Sequence, residues 1–186
     1  SRPFWTHAES RNKPSEHHWD AAVSEGSLFE KVFEKYPDTP IIAEDLGVFG
    51  DDVVKLLEDT AFPGMKVIQF GFDESSDSSH LPHNAVRNSV NYVGTHDNNT
   101  LLGYLWEMPL DTKRDVMNYC SCDPEKWNEN GCRAIVKTIL ASSAGLAIFP
   151  IQDLLGYGSD TRLNVPGRAY GNWLYRITKE QLGFIN

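Results

Sequence analysis

Glu44-Asp45, Gln69-Phe70, His96-Asp97-Asn98 and Gln152-Asp153 each come at the end of a short apolar run, in "IIAED", "KVIQF", "NYVGTHDN" and "AIFPIQD". Carboxylates, amides and an imidazole in this combination bind hydroxyl groups and move protons. Glycosyl transfer by two carboxyls needs one to protonate the leaving oxygen and the other to attack or stabilise the anomeric carbon. Glu44 is the better acid candidate. Near Asp97 and partly desolvated, its pKa would rise so that it holds a proton near neutral pH. Asp97 with His96 would then bind sugar hydroxyls and favour a distorted ring, and the rings of Phe70, Tyr157, Tyr170 and Trp173 could stack on sugar faces. A Ser nucleophile elbow, a Walker loop and G-x-G-x-x-G are all missing from the sequence.

Each residue also has a plainer reading. Glu44-Asp45 could cap a following helix. A lone His96 is commonly a hydrogen-bonded structural histidine, and Asp97 and Asn98 are common turn formers. His80-x-x-His83 has a metal-like spacing but sits in "SSDSSHLPHN", a Ser- and Asp-rich loop, so no metal is expected there. Trp106, Trp127, Phe33 and Tyr36 fall at helical spacings and are expected as core or covered surface. What sets the polar group apart is that four strand ends carry such residues together.

The elements that must position them follow from periodicity. "SLFEKVFEKYP" puts Leu28, Phe29, Val32 and Phe33 on one helical face and stops at Pro37; "TPIIAEDLG" then reads as a buried strand. "DDVVKLLEDTAF" repeats the helical pattern, "GMKVIQFGF" predicts a second strand and "SVNYVGTHDN" a third. Helices are expected in "NTLLGYLWEMP", "TKRDVMNYC" and "PEKWNENGCRAIVKTILASSA", and "GLAIFPIQDLLG" predicts a fourth strand. Strands alternating with helices imply parallel pairing, and continuous apolar runs fit strands buried on both faces. In such folds, functional side chains collect at the C-terminal ends of the strands. Neither an internal repeat nor a linker divides the chain, so residues 1–186 are expected as one part of a catalytic domain, with 1–26 an irregular entry loop.

Length and composition suit an ordinary globular chain: 186 residues, 40% hydrophobic and 23% charged. Seventeen basic against 26 acidic residues give a net charge of −9, which disfavours binding to nucleic acid or to an anionic membrane. The longest apolar stretch, "AGLAIFPI", is far too short to span a bilayer. Cys120, Cys122 and Cys132 lack the paired spacing of a structural zinc site and read as free thiols in a reducing compartment.

"IIAEDLG", "PGMKVIQFGF", "VNYVGTHDNNTLLGY", "IFPIQDLLGYGSDTRLNVPG" and "GNWLYR" together resemble the 4-α-glucanotransferases, the amylomaltase or disproportionating-enzyme group related to the α-amylase clan. The likeness runs in order from about Ile41 to Arg176, and its separations are specific. It implies the C-terminal half, about strands five to eight, of a (β/α)8 TIM-type barrel. It further implies retaining transfer of α-1,4-glucan segments between maltooligosaccharides, without metal or organic cofactor, in the cytoplasm or a plastid. By this resemblance Glu44 is the general acid/base. Asp97 stabilises the transition state, and His96 binds the sugar at the cleavage point. Phe70 and Asn164 line the glucan groove; Asn98, Gln152 and Asp153 complete the expected substrate contacts.

The chain departs from the family at one place. The nucleophile there is an Asp in a motif resembling R-x-D-H, and no Asp of this sequence has Arg two residues before it. A retaining mechanism needs both carboxyls about 5 Å apart. The expectation is therefore a piece that begins after the nucleophile strand and pairs with the missing N-terminal half or with itself. Its isolated form should have negligible transferase activity, to be checked by maltooligosaccharide disproportionation. A catalytically silent glucan-binding half-barrel and an α-amylase-clan hydrolase are the competing readings.

Overall fold

The computed structural model describes residues 27–37, 39–47, 50–73 and 76–184, and the chain divides into two compact units, one ending at Pro63 and one beginning at Gly64. The entry loop expected over 1–26 lies outside the described residues.

In the first unit the expected apolar face forms helix α1 (Ser27–Lys35). The rings of Phe29 and Phe33 lie 5.0 and 5.9 Å from that of Phe62. Helix α2 (Asp51–Thr60) opens with Asp51 and Asp52, whose charges suit the positive end of the helix dipole. It closes on Ala61, a left-handed residue at φ 51° whose N–H returns to the Leu57 carbonyl. Two expectations are corrected in this unit. The strand read in "TPIIAEDLG" reduces to a single bridge at Ala43, whose N–H donates to the Pro63 carbonyl at 3.0 Å. Nor do Glu44 and Asp45 cap the next helix: α2 starts at Asp51 behind Gly50, with no side-chain cap bond. Tyr36, expected as covered, is exposed.

The second unit is mixed α/β around a small parallel sheet. Strand β1 (Gly64–Val67), helix α3 (Ile68–Asp73) and strand β2 (Ser89–Tyr92) come first. Helices α4 (Leu101–Glu107), α5 (Leu110–Tyr119) and α6 (Trp127–Leu140) follow. Strand β3 (Leu146–Ile148) and the short helices α7 (Ile151–Leu154) and α8 (Lys179–Leu182) complete it. The strands lie in the order β1-β2-β3, with Gly64 opposite Ser89 and Val90 opposite Leu146, all parallel. Central β2 buries Ser89, Val90 and Asn91, whereas edge strand β3 leaves Leu146 48% and Ile148 37% exposed.

Two predicted strands are shorter than expected. "GMKVIQFGF" stops at Val67, whose N–H is taken by His80 Nδ1 at 3.1 Å, and Ile68 starts a helix instead. That helix packs closely: a Cβ on Gly71 would lie 3.0 Å from Leu81 Cδ2. In "GLAIFPIQDLLG", β3 ends at Ile148, and Pro150 at φ −58° is preset to open α7. The placement of His80 also gives its ring a structural task. His83 Nδ1 lies 2.9 Å from the Tyr119 hydroxyl.

The core gathers Ile68 and Val93 with Leu101, Leu105, Met117, Ile135 and Ile139 from α4, α5 and α6. Gly131 allows that approach, because a Cβ there would lie 3.1 Å from Leu105 Cδ1 and 3.2 Å from Met117 Sδ. Trp106, expected as core or covered, is 64% exposed and meets Trp127 edge-on at 4.9 Å. All three cysteines are free thiols; burial pushes Cys120 up to about 11 and Cys132 up to about 12. Among the described residues no helix is long and apolar enough to cross a membrane.

Candidate active site

Beyond Tyr92, the last residue of β2, the chain stays buried at Val93 and Gly94 and then turns sharply over Thr95–Asn98. Asn98 makes the turn. Its Oδ1 accepts the Thr95 N–H at 2.8 Å and the Thr95 hydroxyl at 2.9 Å, and its own N–H donates to the Thr95 carbonyl. Thr95 Oγ1 accepts the Asp97 N–H at 3.2 Å. The turn-former reading of Asn98 therefore holds, and its amide oxygen is committed to Thr95 rather than open to a ligand. Gly94 is required by space: a Cβ there would lie 2.8 Å from Gln69 Nε2 and 3.0 Å from Asn98 Cβ.

What the turn presents outward is His96 and Asp97, both roughly half exposed, with His96 Nε2 3.3 Å from Asp97 Oδ1. The same oxygen accepts Asn164 Nδ2 at 2.5 Å. Arg162 reaches in from the same segment as Asn164. Its Nη2 donates to the Asp97 backbone carbonyl at 2.6 Å and its Nε to the Asn164 carbonyl at 2.9 Å. Trp173 stands over His96, ring centroids 5.2 Å apart and tilted by 38°.

A closed loop holds this second wall. The Trp173 N–H donates to the Leu163 carbonyl at 2.6 Å, Asn172 Oδ1 accepts the Val165 N–H, and Asn172 Nδ2 donates to the Arg168 carbonyl. Trp173 itself sits at φ 64°, a left-handed conformation that costs a side-chain-bearing residue about 1–2 kcal/mol. Closure of the loop imposes it and keeps the ring above His96.

Gln69, Gln152 and Asp153, expected among the polar strand ends, lie inside the fold and support the turn. Gln69 is 2% exposed and donates from Nε2 to the Asn99 carbonyl at 3.1 Å. Gln152 donates to the Thr161 carbonyl just ahead of Arg162. Asp153, 3% exposed, accepts the Leu101 N–H at 2.7 Å at the start of α4; burial raises its pKa to about 6, and that hydrogen bond pulls it the other way. Gln152 and Asp153 are thus corrected from substrate contacts to buried ties: each is 3% exposed and spends its side chain on a backbone group, the Thr161 carbonyl and the Leu101 N–H. Phe70 is partly buried and meets His80 edge-on at 5.6 Å. Glu44, in the first unit, is exposed rather than partly desolvated.

Sequence reading missed Arg162. The available signal was its spacing: in an extended segment, residues two apart point to the same side, so "RLN" sends Arg162 and Asn164 together toward Asp97. Asn99 was missed as well. Its Nδ2 joins Glu107 Oε1 at 2.9 Å and Ser159 Oγ at 3.0 Å, beside Gly103. A Cβ on Gly103 would run into Ser159 Oγ and lie 2.6 Å from Asn99 Oδ1. Gly103→Ala is therefore expected to destabilise the chain by about 1–3 kcal/mol, the usual cost of overpacking. A thermal midpoint unchanged from the parent would show that the junction yields freely.

An exposed carboxylate aligned by an amide and an imidazole, with an indole face beside it, is suited to gripping a sugar and to facing a developing positive charge. Comparison with known proteins agrees. Residues 2–181 match the 4-alpha-glucanotransferase family. The chloroplastic/amyloplastic 4-alpha-glucanotransferase of Solanum tuberosum is 43% identical over 150 residues, 81% of this chain and 26% of that protein. The 4-alpha-glucanotransferase of Thermus thermophilus is 36% identical over 187 residues, 96% of this chain and 36% of that one. Among solved structures, amylomaltase from Streptococcus agalactiae in complex with acarbose superimposes with a TM-score of 0.77 at 38% identity, over 85% of this chain and 32% of that chain. The chain thus spans between 26% and 36% of the length of these relatives, and within that span its sequence and its fold match theirs: it belongs to the 4-alpha-glucanotransferase family.

Proposed function

We propose that the full-length protein is a retaining 4-α-glucanotransferase that moves α-1,4-glucan segments between maltooligosaccharides, and that this chain supplies the C-terminal half of its (β/α)8 barrel. The observation that carries the reading is the Asp97 carboxylate at the C-terminal end of β2, aligned by Asn164 and His96 and anchored through its backbone by Arg162. In parallel α/β folds that is the end where active sites form. The exposed Leu146 and Ile148 of edge strand β3 suit further barrel strands or a second copy of the chain.

In this proposal Glu44 protonates the leaving glycosidic oxygen while the family's aspartate nucleophile attacks the anomeric carbon; Glu44 then takes the proton from the acceptor hydroxyl. Glu44 is exposed, so its carboxyl is open to the leaving oxygen of a bound glucan. Asp97 stabilises positive charge as the anomeric carbon flattens. Its Oδ2 makes no hydrogen bond among the described residues, since the one to Asn164 uses Oδ1, and is open to a sugar hydroxyl. Phe70, Asn164 and the Trp173 face line the glucan path. The setting is starch, glycogen or maltodextrin metabolism in the cytoplasm or a plastid.

Incubating the full-length protein with maltotriose tests the reading. Glucose together with chains longer than maltotriose is the expected outcome. Only shorter products would make it a hydrolase, and no products would leave a glucan-binding module.

A further inference from the structure

An open cavity of about 380 Å³ lies between the end of α5 and the flank of α6, and it shares no residue with the Asp97 site. Asn130, Arg133 and Lys137 line it from successive turns of α6, and the small side chain of Ala134 leaves the space between them. Positions three and four apart share one face of a helix, so the guanidinium and the ammonium converge on the same opening. Ser121 contributes a hydroxyl from the turn after α5, where it sits at φ 53°.

The charge is out of place. The chain carries a net −9, yet no Asp or Glu lines this cavity. Nearby cations do find partners: Arg114 lies 3.8 Å from both Asp111 and Glu125. Arg133 and Lys137 have no ion pair or side-chain hydrogen bond among the described residues. The nearby helix end does not neutralise them either, because the Asn118 and Met117 carbonyls are already taken by the Ser121 and Cys122 N–H groups at 3.0 and 2.8 Å. Thr138 donates its hydroxyl to the Ala134 carbonyl at 2.9 Å, which leaves Asn130, Ser121 and the two cations as free donors. Two unpaired cations with neutral donors and no carboxylate make a site for a compact anion with several acceptor oxygens.

We propose that this cavity binds a phosphoryl group, free or carried as a monoester on a small hydroxylated metabolite, through Arg133, Lys137, Asn130 and Ser121. The volume accommodates a hexose-sized body beside the phosphoryl group, with Asn130 and Ser121 placed to meet its hydroxyls. The proposal does not depend on the glucan-transfer reading.

Calorimetric titration of the full-length protein tests it, with inorganic phosphate, glucose 6-phosphate and chloride compared at one ionic strength. Saturable binding of phosphate or of the hexose monophosphate is expected, with at least tenfold loss in the Arg133→Gln/Lys137→Gln double variant. That variant should keep the parent's ligand-free melting temperature and maltotriose activity, since neither side chain has a partner to lose. Tenfold tighter binding of the hexose monophosphate would assign the monoester, and equal binding would assign free phosphate. No saturation by either probe, heats matched by chloride, or a double variant that binds as the parent does would overturn the proposal.

Discussion

Asp97→Asn is expected to lower kcat/KM for maltotriose disproportionation by the full-length protein by about a thousandfold, near 4 kcal/mol of transition-state stabilisation. The substitution keeps the shape, and the Asn oxygen can still accept from Asn164 Nδ2. What it removes is the negative charge that, in the proposed mechanism, faces the oxocarbenium-like centre, and loss of one such preorganised group typically costs 10²–10³ or more. The melting temperature should hardly move, because Asp97 is half exposed and its backbone bond to Arg162 survives. A loss below tenfold would reduce Asp97 to a binding contact. Asn164→Ala should give a smaller loss, weighted toward kcat, since it frees the carboxylate to rotate without discharging it.

The second large effect concerns pH and the buried end of the site. The Asp153 pKa is raised from 3.8 to about 6, mainly by burial and against the pull of the Leu101 N–H. A carboxyl whose pKa is higher folded than unfolded binds its proton more tightly in the native state. Its stabilising contribution is therefore complete below the unfolded pKa and is lost as pH rises through the folded pKa of about 6. At 1.36 kcal/mol per unit, the parent chain should lose about 3 kcal/mol of stability between pH 4 and pH 7 from this group. Asp153→Asn keeps an acceptor for Leu101 and removes the titration, so this part of the slope should vanish. Asp153→Ala should also lose this part of the slope but cost about 2 kcal/mol relative to Asp153→Asn across the range, because the first N–H of α4 is left unpaired. Urea unfolding across this pH range reads both; an unaltered slope in Asp153→Asn would mean the carboxyl is solvated.

How far the sequence reveals this arrangement depends on the range of the forces involved. The faces of α1, α2 and α4–α6 were legible because a helix writes its apolar face into a local period. Strand lengths were not, because they were decided by groups distant in sequence: His80 takes the Val67 N–H. The site was half legible. His96, Asp97 and Asn164, all singled out from the sequence, lie in contact with one another. Gln152 and Asp153 share their polarity but turn inward, because burial depends on which face of α7 meets the core. Arg162 was harder to find because its acceptor is the backbone carbonyl of Asp97, so only its two-residue spacing from Asn164 pointed to it.

The central claim is that Glu44 delivers the proton to the leaving oxygen. A leaving group that needs no proton isolates that step, so the direct measurement compares maltotriose with α-maltosyl fluoride in the Glu44→Gln variant of the full-length protein. A loss of about 10³ is expected with maltotriose, within the usual range for a general acid. With the fluoride donor it predicts a first-turnover burst of fluoride release close to the parent rate. Equal impairment with both donors would contradict it.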